Sequence, residues 1–197
     1  MMVLTILSLV MMQAAGLSGA VHTDPVPTEI AAPVATKLAP GGVRATANGT
    51  TITFWWVKDL PGQSWKDVPE GSLVGAVKLD TAVADIRGHM MKAGVYTLRY
   101  GIQPANSDHF GISPFRDFLL VSPAAVDTDP AAVSHDGVIA LSKQTLGGSH
   151  PAVLSIDPPA ATQAPLDVYT TQLGHKSLIV QVGQLKFGIV LIGRIVT

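Results

Sequence analysis

Two short stretches of this chain carry side chains able to hold a metal ion. One contains Asp85, Arg87 and His89; the other contains Asp108 and His109, with Arg116 and Asp117 close behind. Imidazole and carboxylate together suit Zn²⁺ or another divalent cation. The set works only if the chain gathers it. Pairing of a strand from Val95 to Gln103 with one from Phe115 to Ser122 would put Asp108 and His109 in the connecting loop. Arg116 and Asp117 would then start the return strand, with Asp85 to Met91 alongside. On this reading His89, Asp108, His109 and Asp117 are the metal ligands, and a divalent metal is the one cofactor to consider. A plain structural reading uses the same residues: Asp108 closes an Asx turn, His109 is solvated and Arg116 pairs with a nearby Asp. The 6 histidines show no H-x-x-x-H or other ligand spacing.

Other chemistries find less. Gly111-Ile112-Ser113-Pro114-Phe115 lacks the second glycine of a nucleophile elbow. Ser134-His135-Asp136 holds the residue types of a triad, but consecutive side chains diverge, and the trio fits a helix start with Ser134 as cap. Glu29 and Glu70 both fall in loop-like sequence, so paired carboxylates for glycoside chemistry are unsupported. A ligand platform is a further option. Trp55, Trp56, Trp65 and Tyr169 offer aromatic faces to a sugar ring, and Arg99 and Arg116 offer planar, bidentate recognition of carboxylates. Core and rim packing would use the same aromatics, and ordinary strand pairing the same arginines.

The elements that must position these residues are mostly strands. Asn48-Gly49 between Val43–Thr46 and Thr51–Lys58 is a hairpin signal, because both turn residues accept positive φ. Trp55 and Trp56 are adjacent, so they point to opposite faces of their strand. Leu73 to Leu79 and Asp85 to Met91 read as short strands. From Val95 to Gln103, Tyr96, Leu98, Tyr100 and Ile102 alternate with Val95, Thr97, Arg99 and Gln103. The first set is apolar and faces the core. Ser134 caps a helix from about His135 to Leu146, which Gly147 stops. Pro151 to Ile156, Leu166 to Leu173, Lys176 to Gly183 and Leu185 to Val196 complete nine or ten strands. Short strands with frequent turns predict an all-β fold: an antiparallel β-sandwich, immunoglobulin-like or prealbumin-like, or a small barrel, with one short helix inserted.

The start of the chain bears on location. Val3 to Met12 is apolar except for Thr5 and Ser8, and too short to span a bilayer as a helix. Ser18-Gly19-Ala20 has the small-x-small pattern of a signal cleavage site, so residues 1–20 read as a signal peptide cut after Ala20. This predicts a periplasmic or extracellular protein. Pro25, Pro27, Pro33 and Pro40 punctuate residues 21–40, which read as a tether with an edge strand near Pro33 to Leu38. Residues 41–197 form a single domain. The chain has 13 Lys+Arg against 14 Asp+Glu and no basic stripe, which argues against nucleic acid. There is no cysteine, hence no disulfide, lipoprotein anchor, iron–sulfur cluster or thiolate zinc site. The apolar run Leu178 to Val196 is broken by Gln181, Gln184, Lys186, Arg194 and three glycines, and reads as strands rather than a membrane helix.

The segment Lys92 to Pro123, KAGVYTLRYGIQPANSDHFGISPFRDFLLVSP, resembles secreted bacterial β-sandwich proteins of uncharacterised function. In those proteins a GxYTLRYxxQP strand is followed by an RDFLL strand. HPAVLSI and FGIVLIG are similar to further segments of the same proteins. The resemblance implies a sandwich and an exported address, and brings no catalytic residue. The reading that follows is a non-enzymatic exported binding module for an unknown small molecule, glycan or protein. The alternative is a metal-binding protein or metal-dependent hydrolase built on Asp108 and His109.

Overall fold

A computed structural model of the chain describes residues 16–103, 115–148 and 150–193. Its elements are β1 (Leu17–His22), α1 (Ala32–Ala35), β2 (Leu38–Ala47), β3 (Thr50–Val57), β4 (Leu73–Leu79), β5 (Val83–Ala84), β6 (Met90–Met91), β7 (Gly94–Ile102), β8 (Asp117–Pro123), α2 (His135–Lys143), β9 (Ala152–Asp157), β10 (Val168–Thr170), β11 (Lys176–Val182) and β12 (Leu185–Ile192). Ten strands make one sheet in the order β1-β2-β3-β4-β7-β8-β9-β12-β11-β10; β5 and β6 pair separately. Neighbouring strands run antiparallel throughout. The sheet is nearly closed, because β1 at one end touches β10 and β11 at the other.

Local sequence explains much of this. Asn48 (φ 51°) and Gly49 (φ 80°) form the β2–β3 turn, and the left-handed backbone at both matches the twist of the flanking strands. Ile52, Phe54 and Trp56 alternate along β3 and join Leu98, Tyr100, Leu119, Leu154, Leu178 and Phe187 in one core. Phe54 and Trp56 stack with ring centroids 5.3 Å apart. Phe54 is fully buried, so truncating it to Ala would cost about 3–5 kcal/mol. The alternation read along Val95 to Gln103 holds: Tyr96, Leu98 and Tyr100 belong to the core, while Thr97 and Arg99 take the other face.

Helix α2 starts as its sequence predicts. Ser134 Oγ accepts a bond from the Gly137 N–H at 3.2 Å, and Gly147 (φ 79°) stops the chain after a 3-10 turn at Gln144–Leu146. Val138 packs with Phe118, Leu120, Val153 and Val190 on the opposite face of the sheet from the main core. Ser142 Oγ lies 3.0 Å from the Val121 carbonyl and 2.8 Å from the Ala152 carbonyl and shares its one O–H between them, tying the helix to β8 and β9.

The structure corrects several local expectations. Residues 21–40 are tied down by a few buried side chains, and Pro33 lies in the first turn of the one-turn helix α1, in place of the edge strand the sequence suggests. Its fixed φ suits a first helical turn, and Ile30, Val34 and Leu38 are buried around it. Residues 85–89 turn the chain between β5 and β6, so only Met90–Met91 of the expected strand is one. Asp85 Oδ1 accepts from the N–H groups of Arg87 and His89, both at 2.9 Å, and bends the chain there. Leu166 to Leu173 shrinks to the short β10, since Leu166 sits at φ 73°, outside strand geometry. Leu17 to Ala20 are paired in β1 with Ala47 to Arg44. The run from Leu178 forms β11 and β12 as read, and no helix among the described residues is long and apolar enough to cross a membrane.

Candidate functional site

The strands bring some of the expected site residues together and part others. Asp108 and His109 lie outside the described residues. Asp85 and His89 do meet: His89 Nδ1 is 3.5 Å from Asp85 Oδ2, which also pairs with Arg87 at 3.0 Å. The His89 ring stacks on His150 at 5.3 Å. Asp117 is elsewhere. It opens β8 opposite Ile102 at one end of β7 and accepts the Tyr100 hydroxyl at 2.5 Å, whereas His89 lies near the Gly94 end. By strand rise those ends are roughly 27 Å apart. The proposed ligands His89 and Asp117 therefore do not share a site. Among the described residues no group of three His, Cys, Asp or Glu side chains is arranged to hold a metal ion.

The aromatic platform is corrected too. Trp55 and Trp56 are both buried, on opposite faces as adjacent strand residues must be. Trp55 meets the His22 ring edge-on at 5.1 Å and donates its Nε1–H to the Asp24 carbonyl at 3.1 Å. Trp65 stacks on Tyr100 at 4.7 Å and meets Phe187 at 4.9 Å. These rings cap the core and do not form a flat outer surface. Arg99 is fully buried, and each of its five N–H bonds has a protein acceptor: both Asp127 carboxylate oxygens and the carbonyls of Gly71, Ala131 and Asp129. No donor is left for a ligand. Arg116 is exposed and gives its Nε–H to the Gln103 carbonyl at 2.6 Å.

A different group of residues forms a recess. Segment 158–175 follows β9, is held to β12 where Lys186 Nζ donates to the carbonyls of Ala161 and Gln163, contributes β10 and returns to β11. Beneath it is a pocket of about 360 Å³ lined by Ser155, Asp157, Gln163, Tyr169, Leu173 and His175, among others. Alternation along β9 turns Asp157 to this pocket, while Ile156 points into the core. Asp157 is 5% exposed and accepts the Ser177 hydroxyl at 3.1 Å. Burial raises its pKa above the ordinary carboxylate value, against the opposing pull of Ser177 and His175.

Tyr169 completes the polar end. Its hydroxyl is buried and makes no full hydrogen bond among the described residues, with the Ser177 hydroxyl close enough to favour the ionised phenol. Burial first, and then repulsion from the Asp157 charge, push the phenol up to about 12. The ring reaches this place because residue 188 has no side chain. A Cβ on Gly188 would stand 2.6 Å from Tyr169 Oη. His175 is nearly buried at the turn after β10, where its N–H reaches Thr171 Oγ1 at 3.1 Å. Leu173, 54% exposed, supplies an apolar edge.

Ser177, His175 and Asp157 are triad residue types, but their connectivity is wrong for nucleophilic catalysis. The serine donates directly to the aspartate, so no imidazole stands between nucleophile and acid, and Ser177 is fully buried. The recess suits binding: one carboxyl and one phenol facing an apolar-edged hollow. Of these residues only Tyr169 was singled out by residue type. Asp157 and His175 carried no spacing signal, because the fold alone makes them neighbours. No protein-family model, curated protein or solved structure matches this chain.

Proposed function

We propose that this chain is an exported, non-enzymatic binding protein that takes a small ligand in the Asp157–Tyr169 recess. The observation that carries the reading is the buried Tyr169 hydroxyl, which makes no full hydrogen bond among the described residues because the neighbouring Ser177 hydroxyl is given to the buried Asp157 carboxyl. A buried polar group lacking a hydrogen bond costs about 1–3 kcal/mol, and a ligand that bonds both groups would recover that cost. The matching ligand is a small molecule with an apolar body and a hydroxyl, amide or amine that donates to Asp157 and accepts from Tyr169. The export reading is supported by the apolar run Val3 to Met12 and the small residues after it.

A sandwich is the finer architecture that goes with this reading. Its support is the short ladder between β9 and β12, with the paired positions Gly188↔Asp157 and Ile189↔Ile156. Such a ladder is a natural crease between two facing layers, and the recess lies at it. Ligand-observed NMR with a library of monosaccharides, primary amines and amides tests the function. Hits that disappear in both Tyr169→Phe and Asp157→Asn support it. Hits untouched by either substitution, or none at millimolar concentration, reject it.

A further inference from the structure

We propose that the leader is removed between Gly16 and Leu17, so that the mature chain begins at the first residue of β1. This rests on the export reading above. Three tripeptides behind the apolar run meet the small-x-small requirement: Ala14-Ala15-Gly16, Gly16-Leu17-Ser18 and Ser18-Gly19-Ala20. Sequence alone does not choose between them, and β1 does. Leu17, Ser18, Gly19 and Ala20 pair with Ala47, Thr46, Ala45 and Arg44. A cut after Ser18 would remove Leu17 and Ser18 from that strand, and a cut after Ala20 would leave only Val21 and His22 of it.

The lost residues matter because they sit where the sheet closes. Leu17 packs against the main core. Gly19 lies so close to β11 that a Cβ there would stand 2.7 Å from Leu178 Cδ1. Ala45 and Leu178, now fully buried, would lose the strand lying over them. The β2 edge would also present unpaired backbone groups, a template for association with other chains. A cut after Gly16 leaves all of β1 in place. It gives up the bond from the Asn48 N–H to the Gly16 carbonyl, in an exposed turn where water replaces it. In the reaction a membrane signal peptidase adds water across the Gly16–Leu17 amide. Gly16 departs with the new carboxylate, and Leu17 keeps the new α-ammonium.

The test is to express the full chain without an N-terminal tag in an export-competent bacterium, then determine the N-terminal residue and intact mass. Protein beginning at Leu17, recovered from periplasm or medium, is the expected result. Exported, folded protein beginning at Val21 or any other residue overturns the site while leaving export intact. Uncleaved chain retained in the cytoplasm or membrane overturns the export reading and the site with it. Gly16→Leu should block processing, whereas Ala20→Leu, at an exposed strand position, should leave the Leu17 start unchanged. The reverse pattern overturns the assignment.

Discussion

Arg99 and Asp127 face each other fork to fork beneath the 123–133 segment, with Nε to Oδ2 and Nη2 to Oδ1 both at 2.7 Å. Neither side chain is more than 2% exposed. The pair joins the middle of β7 to the loop after β8, and Thr97 Oγ1 shares the same carboxylate. Removing one partner leaves a buried charge uncompensated, which costs about 3–5 kcal/mol. Arg99→Met and Asp127→Asn should each lower the urea unfolding free energy by about that amount. The double variant should recover a large part of the loss. Additive losses would show that the two groups act independently.

The 3 tyrosines of the chain should resist ionisation together. Burial raises the pKa of Tyr96, Tyr100 and Tyr169 above the ordinary phenol value near 10, and Asp117 adds to the effect at Tyr100. A folded pKa above the unfolded one stabilises the fold below the unfolded value, and that stability is lost as pH rises through the folded value. For Tyr169 the window is about 10 to 12. Ultraviolet titration should show little tyrosinate at pH 10 in native protein and normal titration in urea. Native ionisation at pH 10 would contradict the burial described.

Asp157 behaves in the same sense at lower pH. Its folded pKa is raised, chiefly by burial, so its contribution is most favourable below the unfolded carboxylate value and declines as pH climbs through the folded one. Asp157→Asn keeps an acceptor for Ser177 and removes the charge. The melting temperature of the variant minus that of the parent should therefore be more positive at pH 7 than at pH 3. A difference independent of pH would mean that the carboxyl is not desolvated.

Gly188 should be indispensable for the recess. In Gly188→Ala the new Cβ would press on Tyr169 Oη at 2.6 Å and Cε1 at 3.0 Å, displacing the ring from its seat. Overpacking of this kind costs about 1–3 kcal/mol. Tyr169→Ala in the same chain should return part of the lost stability, measured by thermal unfolding. An unchanged loss in the double variant would place the strain elsewhere.

Short-range physics made much of this protein legible in its sequence. Asn48-Gly49 demanded a hairpin because only residues tolerant of positive φ close it. The alternation from Tyr96 to Ile102 chose which side of β7 is apolar. Ser134 and Gly147 bracketed a helix because each meets the needs of a helix end. The destination of a polar face is a different matter. Arg99 is on the polar side of β7 in sequence and in structure, but its partner lies 28 residues away. Only the path of the 123–133 loop turned that side into interior. His89 and Asp117 were parted for a similar reason: residues placed at the two ends of β7 are held a strand length apart. Asp157, Tyr169 and His175 share no period or motif. They became neighbours because segment 158–175 folds back against β12, beside β9, and long-range packing of that kind decides which groups lose water.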